Sequence, residues 1–288
     1  GSNKLEPEEQ GFITPQKGLE NAGFEVNAEV VGEYVDWANN TTYKGITGTM
    51  GAVMGKIEDI SANARPINDF GYANWDVIEM PVDSALAGKA AEYSDVALIY
   101  LSRQGGENGD LPTTMGASTF AFGDARGGYD NNFGYNEDKH YLQLTDEEEA
   151  MIDSVTAAGF EKVVVVLNTL NIMQIGDLES DDRIDSILWV GGPGEHGFES
   201  LGNILSGEVT PSGKTASIWT SDFTKDPTFV NFADPDHYDY SLMRNTTGLR
   251  QMYTNINSEN TPYKGQAMVH YEEGVYLGYR YYETAHDI

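Results

Sequence analysis

The chain has 288 residues, 40% hydrophobic and 11% aromatic, enough to bury a full core in one large domain or two small ones. Its 46 acidic residues against 17 basic give a formal charge of -29, a field that repels phosphate backbones and anionic lipid and so argues against nucleic acid or membrane as a partner. Cysteine is absent, which excludes disulfides, thiolate nucleophiles and cysteine-ligated zinc.

In chain order, residues 15–22 read as a short helix closed by Gly23, followed by a strand at 24–26 and a helical segment from about 29 to 38. DVIEM, residues 76–80, is strand-like. Residues 84–93 carry an alanine-rich helical pattern, and DVALIYL, residues 95–101, is a nearly continuous apolar run of the kind buried on both faces of a parallel sheet. Thr145 with Glu148 three residues on is a capping signal for a helix over 145–158, with acidic residues in its first turn and Gly159 at its end. KVVVVL at 162–167 and DSILWV at 185–190 are the next strands. A Gly-Pro-Gly turn at 192–194 precedes a helix over 195–206, and Pro211-Ser212-Gly213 leads to a last strand near 214–219. Such alternation predicts an α/β fold with a mostly parallel sheet sandwiched between helices. No linker divides it, so residues 1–288 form a single domain, with a core over about 12–222 and an irregular, tyrosine-rich tail over about 223–288.

Directly after the apolar strand comes SRQGGENGDLP, residues 102–112. In a parallel sheet the crevice beyond the carboxyl ends of the strands is where ligands bind, and glycines let backbone and substrate approach closely. Glu107, a carboxylate in that loop, is the first candidate for chemistry. Asp110 suits fixing the loop through backbone hydrogen bonds, and Arg103 suits pairing with Asp110 or Glu107. Residues 113–140 lack periodicity and are rich in Gly, Asn and Asp, as expected of a functional loop. His140 lies at its end, a candidate cleft residue, though a lone histidine is more often a packing or surface residue. Asp130, Asn131, Asn132 and Asp138 have oxygen chemistry suited to calcium but lack the EF-hand spacing, so no metal site and no cofactor is assigned. The tyrosines of VHYEEGVYLGYRYYET, residues 269–284, fit a packed edge better than a stacking surface for sugars.

Taken together, these segments carry a family resemblance. SRQGGENGDLP resembles the acid/base loop of glycoside hydrolase family 3, and LQLTDEEEAMI, VVVVLNTLN, ILWVGGPGEHGFESLGNILSGEVTPSGKT and YEEGVYLGYRYYET are similar to successive blocks of that family's α/β sandwich domain. The resemblance runs over most of the chain from about Phe12. It implies a retaining β-glycosidase of β-glucosidase type, with a carbohydrate substrate and a two-domain active site. A (β/α)8 barrel supplies the nucleophile and this domain supplies the general acid/base, here Glu107, with Arg103, Asp110 and His140 as substrate-binding or loop-positioning residues.

The departures from the family pattern matter equally. The barrel and its nucleophile block are absent, and Ser221-Asp222-Phe223 only mimics that block, so Asp222 receives no catalytic role. The family's initial strand and its closing PFGYGLSY-like block are missing too. The expectation is a fragment or cut domain, inactive without its barrel, whose oligomeric state and localisation stay open. The alternative is a stand-alone carbohydrate-binding or interaction module on the same scaffold.

Overall fold

The structure, a computed structural model, describes residues 11–47, 56–61, 77, 79–103, 138–226 and 273–286. Helix α1 (Pro15–Asn21) starts where the Thr14 hydroxyl accepts the Lys17 amide and Pro15 pre-sets the first helical φ. Helix α2 (Ala28–Asn40) starts where the Asn27 side chain accepts the amides of Glu29 and Val30. Strands β1 (Thr42–Thr47) and β2 (Lys56–Ser61) then form an antiparallel pair that the sequence pattern did not announce.

The centre is a parallel sheet in the order β3-β4-β5, formed by β3 (Val96–Arg103), β4 (Lys162–Thr169) and β5 (Ser186–Trp189). Helices accompany it: α3 (Ser84–Tyr93), α4 (Asp146–Thr156), α5 (Gly176–Glu179) and α6 (Glu199–Leu205), then a 3-10 turn (Phe223–Lys225) and α7 (Tyr279–His286). This is the α/β architecture expected from the sequence. Central β4 buries Val163, Val165, Val166 and Leu167, and Ile99 and Leu101 of β3 join Met151 and Ile152 of α4 in one core cluster with Val165, Leu167 and Met173. Each such side chain removed from water contributes about 1.5–3 kcal/mol, so the core sits on β4 and the site at its carboxyl end rests on a fixed base.

Among the described residues, which include only 77, 79 and 80 of the second, three expected strands are not seen, and in two of them a local hydrogen bond occupies an amide. Residues 24–26 follow Gly23, whose φ is +91°, and the Phe24 amide donates back to the Leu19 carbonyl at 3.1 Å. That bond closes α1 and takes the amide away from any ladder. At residues 77, 79 and 80, the Met80 amide donates to the Glu79 carboxylate at 3.1 Å. Residues 214–219 run outside β5 without pairing to it. Between them lies a crevice of about 1160 Å³ whose lining includes Leu167, Ile187, Trp189, Trp219 and Tyr279. The helix expected over 195–206 starts only at Glu199, because Gly197 donates to Pro193 and holds a turn there. Helices α1 and α6 meet through Gly18 and Gly202, where an added Cβ would strike the Phe198 carbonyl oxygen or the Ala22 side chain.

Candidate functional site

Arg103 is the last residue of β3, in register with Thr169 of β4, and so stands at the carboxyl edge of the sheet. Glu107 and Asp110 lie outside the described residues, as do Asp130, Asn131 and Asn132. The described part of the site is therefore what surrounds the end of β3 and the residues from 138 onward.

The Arg103 side chain is fully buried, and each of its five N–H donors has a protein acceptor. Nε donates to the Tyr141 carbonyl at 2.9 Å, Nη1 to the Ser102 carbonyl at 2.8 Å and to Glu148 Oε1 at 2.6 Å, and Nη2 to the Gln143 carbonyl at 2.5 Å and to Glu148 Oε2 at 2.6 Å. The pair with Glu148 is the two-pronged guanidinium–carboxylate geometry, stronger and more directional than a neutral bond. Glu148 also closes the expected capping box. Its Oε2 accepts the Thr145 amide at 2.8 Å while its own amide donates to Thr145 Oγ1 at 3.0 Å. One carboxylate thus fixes both the start of α4 and the end of β3.

A second carboxyl lies close by. Burial, then the negative charge of Glu148, pushes the Glu79 carboxyl up to about 7, against the Met80 amide, the Tyr34 hydroxyl and the Arg103 charge. Arg103 is a single cation beside two carboxyls, and Glu148 has its fork. Glu79 holds a proton near neutrality. Tyr34, from α2, is raised well beyond its ordinary range by burial and by Glu79.

His140 belongs to the same neighbourhood through the turn 140–143, where the Gln143 amide donates to the His140 carbonyl at 3.0 Å. Its Nδ1 accepts the Leu142 amide at 3.2 Å, which assigns the proton to Nε2, facing Gln174 Oε1 at 3.2 Å. Gln174 Oε1 also accepts the Phe223 amide at 2.8 Å, and the His140 ring stacks on Phe223 with centroids 5.1 Å apart. Burial lowers the histidine pKa, the Gln174 bond and the Asp222 charge oppose that, and Arg103 adds to it. His140 is a neutral linker between the 140–143 turn and residues 174 and 223. Asp222 caps the 3-10 turn by accepting from the Thr224 amide and hydroxyl at 3.0 and 2.6 Å.

The structure brings Arg103 and His140 into one cluster and adds Glu148, Glu79, Tyr34 and Gln174, none of which the sequence marked for the site. Glu148 was legible as a cap but not as the partner of Arg103. Among the described residues, no group of three His, Asp or Glu side chains is arranged to hold a metal ion, and no helix is long and apolar enough to cross a membrane. The chemistry of the cluster is to fix a backbone and to neutralise charge.

Comparison with known proteins gives a consistent answer. A family profile described as the glycosyl hydrolase family 3 C-terminal domain matches residues 7–279. Over 267 residues the chain is 26% identical to a β-glucosidase of Ruminococcus albus, covering 93% of this chain and 20% of that protein. To β-glucosidase A of Butyrivibrio fibrisolvens it is 26% identical over 229 residues, covering 74% and 22%. Among solved structures, a β-glucosidase from Paenibacillus barengoltzii superposes with a TM-score of 0.52 at 22% identity, over 77% of this chain and 20% of that one, a likeness of fold. The chain spans about a fifth of the length of these relatives.

Proposed function

Because the chain belongs to the glycosyl hydrolase family 3 C-terminal domain family, we propose that it is the acid/base-supplying domain of a retaining β-glycosidase of β-glucosidase type, with Glu107 as the acid/base. The observation that carries this reading is the place of SRQGGENGDLP in the chain. It begins on the last two residues of β3, Ser102 and Arg103, at the carboxyl edge of a parallel sheet. The relatives' name as β-glucosidases supports the reaction type.

A retaining glycosidase needs two carboxyl groups about 5–5.5 Å apart. One attacks the anomeric carbon. The other protonates the departing oxygen, then takes a proton from the water that releases the sugar. Glu107 is proposed for the second role and the nucleophile is assigned to a barrel outside this chain, so the chain alone is expected to be inactive. Asp110 is proposed to hold the loop, and His140 to support it through the 140–143 turn.

The test is hydrolysis of an aryl β-glucoside by the full-length polypeptide that carries this chain, or by this chain mixed with the barrel. Glu107→Gln should lower turnover by about 10²–10⁴-fold, and unchanged turnover would overturn the assignment.

A further inference from the structure

Arg103 was a candidate for either substrate binding or loop positioning, and the geometry separates the two. A guanidinium that contacts substrate must keep donors facing the cleft. Here all five have acceptors in the protein and the side chain is fully buried. Those acceptors come from three stretches: Ser102 on β3, Tyr141 and Gln143 in the turn that holds His140, and Glu148 at the start of α4. The cation therefore locks together the backbone on which the glycine-rich loop begins, the turn 140–143 and the N-terminus of α4. A buried ion pair is a weak means of gaining stability, since well-packed apolar side chains do as well or better. Its attested use is to specify geometry.

We propose that Arg103 and Glu148 act as a pair of positioning residues for the acid/base, fixing the backbone four residues before Glu107. The inference rests on the assignment of Glu107 above. Neither residue touches substrate. Glu148 acts through Arg103, and Arg103 acts through the carbonyls of Ser102, Tyr141 and Gln143.

The reaction supplies a readout that loss of folded protein does not move. Protonation of the leaving oxygen matters greatly for a poor leaving group such as an alkoxide and little for a good one such as dinitrophenolate. For a retaining enzyme, kcat/KM reports the steps up to the first glycosyl transfer. The ratio of kcat/KM on an alkyl β-glucoside to that on dinitrophenyl β-glucoside therefore measures how well the acid is placed. A smaller folded fraction scales both values equally.

The ratio should be measured for Glu107→Gln, Arg103→Lys, Arg103→Met and Glu148→Gln in the full-length polypeptide. A displacement of about 1 Å costs on the order of 10²-fold, so Arg103→Met should lower the ratio by about that much. Arg103→Lys and Glu148→Gln, which keep part of the bonding, should lower it less. Glu148→Gln retains an acceptor oxygen for the Thr145 amide and keeps the test open if the Arg103 variants fail to fold. A ratio unchanged in the Arg103 and Glu148 variants but lowered in Glu107→Gln overturns the positioning role and leaves the acid/base assignment intact. A ratio unchanged in Glu107→Gln overturns the assignment itself.

Discussion

The two flanks of the three-stranded sheet are finished in opposite ways. Beside β3, a buried cation has a partner for every donor and ties three segments to one carboxylate. Beside β5, residues 215–219 stand off from the edge across a crevice, with Trp189 and Trp219 meeting edge to face at 5.6 Å. Directional bonds to one buried cation set position on the first flank, whereas an aromatic pair spans the second. The difference matters because the proposed acid/base loop begins on the first. Truncating one partner there should have the largest effect on stability, since it strands a buried charge. Arg103→Met or Glu148→Met is expected to cost about 3–5 kcal/mol in urea unfolding, and the double variant markedly less than their sum. Additive single effects would erase the contrast between the flanks.

The second largest effect is one of pH and involves the proton on Glu79. The folded chain keeps that proton up to about pH 7, whereas an unfolded chain releases it near 4.5. The folded state thus binds more protons between these limits, and stability falls as pH rises through them. The total is about 3 kcal/mol, and the contribution is complete only at the acid end. Glu79→Gln, which carries no proton to lose, should lack that slope, so that the difference between variant and parent stabilities changes with pH across this window. His140 acts with the opposite sign. Burial lowers its pKa in the folded chain, so its contribution is lost as pH falls through the histidine range, and His140→Gln should be relatively less sensitive to acid there. Identical pH profiles for Glu79→Gln and the parent would remove Glu79 from the cluster. A smaller loss, about 1 kcal/mol, is expected for Thr145→Ala, which gives up the hydroxyl that accepts the Glu148 amide. Thermal unfolding would read it.

Legibility from sequence followed the range of the forces. The apolar runs of β3 and β4 and the Thr145–Glu148 cap lie within a few neighbouring residues, and all three formed as expected. Phe24 and Met80 have strand-like surroundings, but their amides are taken by Leu19 and Glu79, a competition that periodicity does not register. In the site the limit is distance along the chain. Arg103 and Glu148 are 45 residues apart, and Gln174 reaches Phe223 across 49. Glu148 is also the third acidic residue in a run that helix-dipole arguments already account for, so nothing local set it apart from Glu147 or Glu149. The proposal for Glu107 draws instead on a rule of topology, the ligand crevice beyond the carboxyl ends of parallel strands, which needs no knowledge of partners.

The difference between two positions on the other flank tests whether its looseness is real. Trp189 and Trp219 meet edge to face, yet they differ in one bond: Trp189 Nε1 donates to the Thr169 carbonyl at 2.7 Å, while the buried Trp219 Nε1 has no acceptor among the described residues. Replacing either by Phe removes the same atoms from the same crevice. At Trp189 the change also breaks a bond to the last residue of β4 and leaves its carbonyl wanting a donor, a cost of about 1–2 kcal/mol. At Trp219 it removes a buried donor that was itself a penalty, so the lost packing should be largely offset and the net change should stay within about 1 kcal/mol. Equal losses at the two positions in urea unfolding would mean that Trp219 is as firmly bonded as Trp189, and that this flank is held by the same kind of directional contact as the end of β3.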